Sequence, residues 1–285
     1  MIDLNHCNNV CNTDPNDLSI NDVRECIDMI DEGMAHLIEY RLKLTKKMGD
    51  VKQSHSDDRE LVLRPSREAK LLRKWMTHFK GQLHPLAVQS IWRALISSGC
   101  LSEQNLTLLI PNEAQSVNEV EHYFGRFFPS QAYEDLDAAI HQVMVDKHKI
   151  LIINSTQLLD SHIPKLIQSY THYGIKCFLK LPVSGSDIKD PLLCFGYLPL
   201  EPSGHDQSVI LLNSTENESL NLFVKDRLNE SVQVLWQSKR NCLIQTDGFI
   251  ESSESMIDDK RFANLPSTIN RYVLGVFPSL LEPES

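Results

Sequence analysis

The sequence predicts a multidomain protein of class α and α/β, in which an all-α region comes first and a region of mixed strands and helices follows. Between residues 19 and 53, apolar residues recur at steps of three and four, which is the period of an amphipathic helix. After residue 104, short apolar runs alternate with helical segments, a pattern typical of α/β units. A chain of 285 residues is long enough for two or three such domains.

Residues 1–18, ahead of the first predicted helix, are polar and acidic. They lack the pattern of a secretory signal. We therefore expect them to form a disordered tail.

One long helix is predicted to begin at an N-cap formed by Ser19 and to end near Gln53, a length of roughly 50 Å at 1.5 Å per residue. Asp22 supplies the acidic third position of a capping box. Its apolar stripe consists of Val23, Ile27, Ile30, Met34, Leu37, Ile38, Leu44, Met48 and Val51. This helix is longer than most globular helices, and no companion helix precedes residue 66.

Cations interrupt this stripe. Arg41 and Lys52 are three helical turns apart, so they lie on one face about 16 Å apart along the axis. Arg24 is rotated off that face, but an antiparallel second helix could bring its own Arg24 to the same place. Because charges in a buried stripe are costly unless a ligand or partner neutralises them, the pattern predicts a pocket for a small dianion shared by two chains.

A second interpretation of these cations stays open. Residues 41–93 are rich in Lys and Arg although the whole chain carries a formal charge of −10. Such a stretch is ordinarily a solvated helix face. Arg41 and Lys52 lie on or beside the apolar stripe rather than opposite it, and this position favours binding.

Two shorter helices are predicted next. The first begins at Pro65-Ser66 and ends at Gly81, and the second begins at His84-Pro85 and ends near Gly99. Their apolar faces are Leu71, Leu72, Trp75 and Phe79 in the first, and Val88, Ile91, Trp92, Leu95 and Ile96 in the second. Together with the long helix they make a three-helix domain over residues 19–104.

The remainder is predicted as a small α/β unit over 105–200 and a βαββαβ, ferredoxin-like module over 207–282. In the first unit, the strands are 105–111, 150–153 and 175–181, and the helices are 117–124, 136–145 and 163–170. In the second, the strands are 208–212, 232–237, 242–247 and 270–276, with helices at 220–228 and before the last strand.

Residues 19–104 resemble the all-helical type of chorismate mutase, which occurs alone or fused to prephenate dehydratase. The signature that carries the resemblance is Arg24, Ile27-Asp28-x-Ile30-Asp31, Arg41, Lys52 and Arg67-Glu68. The resemblance implies an intertwined helical homodimer that rearranges chorismate to prephenate in one pericyclic step. It implies no covalent intermediate, no metal and no cofactor.

The resemblance also implies roles for the cations. Arg41 and the partner subunit's Arg24 would grip the substrate carboxylates, and Arg67 would add positive charge nearby. Lys52 would donate to a carboxylate and to the ether oxygen, and so stabilise the charge that grows there as the bond lengthens.

The remaining site residues follow the family less closely. Glu68 would accept the proton of the ring hydroxyl, helped by the backbone N–H of Arg64. Gly99 stands where the family commonly has Ser, and Glu103 stands where it has Gln or, in some branches, Glu. A Glu beside an ether oxygen helps only when it is protonated. Glu103 is therefore either the donor or an ordinary helix-end residue, and the neighbouring Gln104 is the alternative donor.

Residues 105–285 resemble a prephenate dehydratase domain followed by its ACT regulatory module, in reduced form. The segment LTLLIPNEAQSVNEVEHYFG matches the opening strand, turn and helix, with the turn glycines replaced. Of a Pro-Ile-Glu-Asn stretch only Asn154-Ser155 remains, and Leu193-Cys194-Phe195 occupies the place of the Thr-Arg-Phe motif. With about one lobe missing as well, the resemblance implies a non-catalytic remnant.

The end of the chain resembles the ACT module in the segment RYVLGVFPSLLEP. Gln237-Ser238-Lys239-Arg240 lies near the position of an effector motif, whereas Asn217-Glu218-Ser219-Leu220 replaces its Gly-Ala-Leu-Val. Without that glycine the backbone cannot approach an amino-acid ligand closely. We expect a structural or dimer-stabilising role rather than regulation by phenylalanine.

Other patterns restrict the function further. Seven scattered cysteines, an odd number, fit reduced thiols and a cytoplasmic location. His6, Cys7 and Cys11 could touch a metal, but no second ligand pair follows. Phosphate loops, basic patches interleaved with aromatics and long apolar runs are absent from the sequence, so neither nucleic acid nor a membrane is an expected partner. Three functions stay open: an active chorismate mutase, a bifunctional mutase–dehydratase, and a helical interaction protein.

Overall fold

The computed structural model describes residues 4–55, 61–183, 190–215, 220, 232–251, 262 and 265–279. The chain forms two compact units, Met1–Ser56 and Asp57–Ser285, and each is described by itself.

The first unit consists of helix α1 (Leu4–Asn12), a short 3₁₀ turn (Pro15–Asp17) and helix α2 (Ile20–His55). The predicted long helix is confirmed, and so is its capping box. The Ser19 N–H donates to Asp22 Oδ2 at 3.0 Å, and the Asp22 N–H donates to Ser19 Oγ at 3.1 Å. Hydrogen bonding of the Asp22 carboxylate to the Ser19 side chain, and next to the Ser19 backbone N–H, lowers the pKa of Asp22.

The predicted disordered tail is wrong for residues 4–12 and 15–17, which form helix α1 and the 3₁₀ turn. Helix α1 packs against α2 through Cys7 and Cys26, both of which are buried. The Cys7 thiol donates to the Cys26 carbonyl at 3.9 Å. The polar and acidic composition of residues 1–18 hid this contact, although Leu4, Cys7 and Cys11 recur in α1 at steps of three and four.

The second unit begins with helices α3 (Pro65–His78) and α4 (Pro85–Glu103), which pack against each other. The rings of Trp75 and Trp92 lie 5.1 Å apart at this contact. Helix α4 begins at Pro85, as predicted, and its N-cap is His84, whose Nδ1 accepts the Leu86 N–H at 3.2 Å. Helix α4 does not end at Gly99 but continues to Glu103.

A nine-stranded sheet follows. Its strands are β1 (Thr107–Pro111), β2 (Ser130–Tyr133), β3 (Lys149–Asn154), β4 (Lys176–Leu181), β5 (Leu192–Gly196), β6 (Asp206–Ser214), β7 (Val232–Gln237), β8 (Asn241–Asp247) and β9 (Ile269–Pro278). The helices between them are α5 (Ala114–Phe124), α6 (Leu136–Val145) and α7 (Ile163–Tyr173). The strand order is β2-β1-β3-β5-β4-β9-β6-β8-β7. Strand β2 was not predicted because its side chains are polar and mostly exposed, and β5 was treated only as a motif position.

The two predicted C-terminal units share this sheet. Strands β4 and β9 pair in parallel at Cys177 and Gly275. A Cβ atom at Gly275 would lie 1.9 Å from the Cys177 carbonyl oxygen, so only glycine allows the approach. The order β9-β6-β8-β7, with antiparallel neighbours, is the one that a βαββαβ module requires. Apart from Leu220, the helix predicted at 220–228 lies outside the described residues, and so does most of the segment before the last strand.

Helices α3 and α4 pack onto the sheet, so the predicted boundary at residue 104 does not coincide with the division of the chain. Ile96 and Cys100 of α4 belong to the same apolar cluster as Leu108 and Phe178 of the sheet. A hydrogen bond also crosses this boundary: Arg73 Nη2 donates to the Ser203 carbonyl at 2.6 Å. Among the helices of the described ranges, none is both long and apolar enough to cross a bilayer.

Candidate active site

Helix α2 carries three of the predicted site cations within the first unit. Arg24 is exposed and Arg41 is half-buried. Lys52 lies in α2, and its side chain is outside the described residues. The continuous helix from 20 to 55 confirms the spacing on which the predicted common face of Arg41 and Lys52 depends.

The start of α3 positions Glu68. Arg64 is the N-cap residue of α3, and its backbone N–H donates to Glu68 Oε1 at 3.2 Å. A carboxylate in the first turn of a helix is stabilised by the helix dipole and by the unpaired N–H groups there. The structure therefore joins the Arg64 main chain to the Glu68 carboxylate, which is buried.

The two arginines beside Glu68 point to different surroundings. Arg64 Nη1 donates to the carbonyl oxygens of Leu61 and Leu63, at 2.8 and 3.0 Å, so this side chain braces the preceding loop. Arg67 is exposed on the first turn of α3. In this arrangement the main chain of Arg64 contacts Glu68, and Arg67 is the arginine that projects to solvent.

The end of α4 holds the other predicted residues. Gly99 is buried within the helix, and its carbonyl accepts Ser102 Oγ at 2.7 Å. Glu103, the last residue of α4, is half-buried. Gln104 is the C-cap, and its side-chain oxygen accepts the Val62 N–H at 3.2 Å. The Gln104 oxygen is thus committed to the loop before α3.

Arg93 is a buried partner of Glu68 that sequence analysis missed. Its Nη1 lies 2.5 Å from Glu68 Oε2, and the arginine is only 3% exposed. Its guanidinium carbon lies 3.7 Å from the ring centre of Tyr123 in α5, and its Nε donates to the Tyr123 carbonyl at 3.3 Å. Burial acts to lower the pKa of Arg93, but the interactions with Tyr123 and Glu68 outweigh it and raise that pKa. Burial also raises the pKa of the Tyr123 phenol.

A sequence signal for Arg93 does exist. Gln89, Arg93 and Ser97 follow each other at steps of four on α4, and all three are buried. A row of polar residues at the helix period inside an otherwise apolar helix indicates a buried polar contact. The face of this helix was predicted from its apolar residues alone, and for that reason the polar row was missed.

The cations of α2 and the Glu68 group belong to different units of the structure. Their convergence on one substrate therefore stays a prediction. Within the second unit, the described contacts join Arg64, Glu68, Arg93 and Tyr123 into one continuous chain of interactions from α3 through α4 to α5.

Two of the segments that resemble dehydratase motifs, the turn at Glu113 and the stretch at Asn154-Ser155, are joined by hydrogen bonds. Glu113 Oε2 accepts hydrogen bonds from Ser116 at 3.2 Å and from Asn154 at 3.1 Å, and Glu113 Oε1 accepts one from Gln157. This cluster ties the turn after β1 to the turn after β3. In β5, Leu193 and Cys194 are fully buried in the sheet.

Polar contacts also surround the segment near the predicted effector motif. Ser238 Oγ donates to Asp160 Oδ1 at 2.5 Å, and Asn241 Nδ2 donates to the same oxygen at 2.7 Å. Among the described residues, no group of three or more His, Cys, Asp and Glu side chains is arranged to hold a metal ion.

Comparison with known proteins places the helical region in a family. Residues 23–104 match the family model of chorismate mutase type II. No curated protein matches the chain.

Two solved structures are similar to part of the chain. One is described as "GqqA, a novel type of quorum quenching acylases", with 11% identity, a TM-score of 0.38, and coverage of 62% of this chain and 96% of that one. The other is a prephenate dehydratase from Streptococcus mutans, with 12% identity, a TM-score of 0.35, and coverage of 62% and 100%. At these low TM-scores, nothing about the present chain is inferred from either structure. The family match does bear on the helices: the match of residues 23–104 to chorismate mutase type II indicates an enzyme of the isomerase class.

Proposed function

We propose that this chain converts chorismate to prephenate in the biosynthesis of aromatic amino acids, and that residues 19–104 of two chains together perform the reaction. The observation that carries the proposal is the family match, because residues 23–104 include every predicted cation and the Glu68 carboxylate. The seven cysteines, none of which forms a disulfide, fit a reducing compartment such as the cytoplasm.

The first part of the mechanism is the selection of a compact substrate conformer. Chorismate is a flexible dianion, and Arg41, the partner subunit's Arg24 and the nearby Arg67 supply positive groups for its carboxylates. Holding both carboxylates brings the two ends of the reacting system together, and the entropy of that step is lost on binding rather than in the transition state.

The second part is stabilisation of the polarised transition state. As the ether bond lengthens, negative charge grows on its oxygen, and the ammonium group of Lys52 would interact with this charge more strongly than with the ground state. Glu68 accepts the ring hydroxyl, and its position beside the Arg64 N–H supports that role. No proton needs to leave the substrate carbon skeleton, so the reaction requires no general base.

The end of α4 would complete the site. Glu103, in its protonated form, would donate to the ether oxygen. Gln104 remains the alternative donor, because its side-chain oxygen accepts the Val62 N–H whereas its amide N–H groups are the ones that would donate. Glycine at position 99 removes a hydroxyl that the family uses, and the loss of one hydrogen bond to a carboxylate costs about 1 kcal/mol. A tighter hold by the arginines would compensate for it.

We propose a homodimer in which Arg24 is contributed across the interface. The support is the apolar stripe of α2, whose side chains are exposed along the helix. Mixing Arg24→Ala and Lys52→Ala subunits tests this arrangement. If each site combines Arg24 from one chain with Lys52 from the other, the mixture recovers about a quarter of the wild-type activity, as expected for statistical pairing in a two-fold dimer. No recovery after subunit exchange would contradict it.

The main test is the disappearance of chorismate with purified full-length protein. Wild type is compared with Lys52→Ala and with Lys46→Ala, an exposed lysine on the other side of the same helix. We expect Lys52→Ala to lose about 10²–10³-fold or more, because a transition-state donor is removed, and Lys46→Ala to remain active. A folded wild-type protein without activity on chorismate would favour the helical interaction protein instead.

We further propose that the C-terminal half has no catalytic activity of its own. The Leu193-Cys194 pair supplies no polar group, and Glu113 and Asn154 are engaged with each other. Prephenate added to the enzyme should therefore persist, and its consumption would favour the bifunctional alternative. Likewise, Ser238 is held by Asp160, so titration with Phe or Tyr should change neither activity nor thermal stability.

A further inference from the structure

We propose that Arg93 is a positioning residue for the mutase reaction, which fixes the Glu68 carboxylate from α4 and is itself fixed by Tyr123 of α5. This inference rests on the proposed role of Glu68 as acceptor of the substrate hydroxyl. It gives the α/β half of the chain a part in the chemistry of the helical half.

The first step concerns the two oxygens of Glu68. Oε1 accepts the Arg64 N–H at 3.2 Å, and Oε2 accepts Arg93 Nη1 at 2.5 Å. An ionised carboxylate offers about four lone-pair positions, so two remain for a substrate hydroxyl. With one donor on each oxygen, rotation of the carboxylate about its last bond is blocked, and the remaining acceptor positions point in set directions.

The second step concerns the anchoring of Arg93. Arg93 is 3% exposed, and its guanidinium carbon lies over the Tyr123 ring, 3.7 Å from the ring centre. Nε donates to the Tyr123 carbonyl at 3.3 Å. Among the described residues, Nη2 has no hydrogen-bond partner. The only carboxylate that the described contacts give Arg93 is therefore Glu68, and a buried arginine without its carboxylate would be strongly disfavoured.

The third step is the path through the fold. Tyr123 lies in the last turn of α5, the helix that follows the first strand of the sheet. The chain of contacts Tyr123, Arg93, Glu68 thus runs from the α/β region to the first turn of α3. The packing of α4 on the sheet holds Arg93 and Tyr123 at the separation that this chain of contacts needs.

A buried ion pair can also be purely structural, and a double-mutant cycle separates the two roles. We compare kcat/KM for full-length wild type, Arg93→Gln, Glu68→Gln and the double variant. If Arg93 acts through Glu68, Arg93→Gln lowers kcat/KM by about 10- to 100-fold in the wild-type background but by less than about threefold in the Glu68→Gln background. Equal factors in both backgrounds, or full activity of Arg93→Gln, would overturn the inference.

Two further variants complete the test. Arg93→Lys keeps the positive charge beside Glu68 and should restore part of the activity lost in Arg93→Gln, whereas a purely structural need for the stacked guanidinium predicts no such rescue. Arg126→Gln is the matched control, since Arg126 pairs with Glu121 at the surface and its side chain is 85% exposed. This control should have wild-type activity.

The outcomes remain distinct if Arg93→Gln does not fold, as judged by circular dichroism. Arg93→Lys and Tyr123→Leu then replace it in the same cycle, and their losses should likewise disappear in the Glu68→Gln background. An inactive wild type would contradict the proposed function as a whole. An active wild type with a fully active Glu68→Gln variant would contradict the role of Glu68 and this inference, while leaving the mutase activity in place.

Discussion

The two units of this chain differ in how far their apolar side chains are exposed to solvent. Helix α2 exposes Leu37 at 63% and Leu44 at 70%, whereas Leu193 in the centre of the sheet is 0% exposed. The large apolar side chains that α2 exposes are Ile20, Val23, Ile27, Ile30, Met34, Leu37, Ile38, Tyr40, Leu44, Met48 and Val51. An apolar surface of this extent on one helix is typical of interaction sites and supports the proposed dimer, while the second unit buries its core within its own chain.

The same contrast divides the proposed chemistry. The cations Arg24, Arg41 and Lys52 belong to the under-packed helix, and Glu68 belongs to the well-packed unit, where Arg93 and Tyr123 hold it. A carboxylate needs fixed donors to keep its orientation, and a well-packed unit supplies them. The positive groups, by contrast, are on the element whose placement would be completed by a second chain.

Cysteine reactivity should show the largest difference between the units. Cys11 is exposed on α1, whereas burial raises the pKa of both Cys177 and Cys242 to about 12. The reactive form of a thiol is the thiolate, so at pH 8 a maleimide should label Cys11 at least about a thousand times faster than the two sheet cysteines. Peptide mapping by mass spectrometry measures this ratio, with labelling in guanidinium chloride as the control. Comparable rates in the native protein would show that the second unit opens readily.

A charge placed in the apolar stripe should break the dimer. Leu44→Glu would put an unpaired carboxylate into the interface that we propose, where burial of a charge is strongly unfavourable. We expect a monomer in light scattering and a fall in mutase activity of at least about a hundredfold, since the partner's Arg24 would leave the site.

The control for this change is Lys46→Glu, on the opposite side of α2, which should remain dimeric and active. A Leu44→Glu protein that kept wild-type activity as a monomer would contradict the proposal that the stripe of α2 forms a dimer interface needed for activity.

A methyl group at the β4–β9 junction should destabilise the second unit. In Gly275→Ala the new carbon would meet the Cys177 carbonyl oxygen at 1.9 Å, and backbone on both sides leaves little room to adjust. We expect the free energy of unfolding to fall by about 3 kcal/mol in chemical denaturation. Gly81→Ala is the comparison, because Gly81 has φ +80° but open space around it, so only the left-handed strain of about 1 kcal/mol applies. An equal loss in the free energy of unfolding for the two changes would mean that β4 and β9 can move apart at this junction at little cost.

Removal of the α2 cap should have the smallest effect and a local one. Ser19→Ala loses the hydrogen bond from the Asp22 N–H, at a cost of about 1 kcal/mol, which hydrogen exchange in the first turn of α2 would detect. Because the hydrogen bonds from Ser19 lower the pKa of Asp22 below its usual 3.8, the contribution of this carboxylate is present above that pH and is lost as the pH falls through the lowered value.

Ser90→Ala, a mid-helix change in α4, should leave exchange in α2 unaltered. Unchanged exchange in Ser19→Ala would show that tertiary contacts, rather than the cap, hold the start of α2.

The elements with a strong local pattern were predicted closely. Helix α6 and strand β7 have the predicted limits, and α2 differs from its prediction by about two residues at its end. Strand β2 was missed because its side chains are mostly exposed and lack an apolar alternation. Helix α1 was missed because its composition is that of a disordered segment, although Cys7 anchors it.

The candidate site divides in the same way. The positions of Arg24, Arg41 and Lys52 follow from the helix period, and the link between the Arg64 N–H and Glu68 follows from the start of a helix at Pro65. Arg93 could be found only through the row of polar residues at steps of four, and its partner Tyr123 lies thirty residues further on, in another element. The sequence around Tyr123 contains no pattern that predicts a contact between its ring and an arginine.

The sequence by itself determined the long capped helix, its apolar stripe and the cations within that stripe, because all of these depend on neighbours within a few turns of one helix. The tertiary structure decided that α3 and α4 belong with the sheet, that two predicted units share one sheet through Gly275, and that Arg93 joins Glu68 to Tyr123. These contacts connect residues far apart in the chain, and contacts of that kind leave no period in the sequence from which they could be predicted.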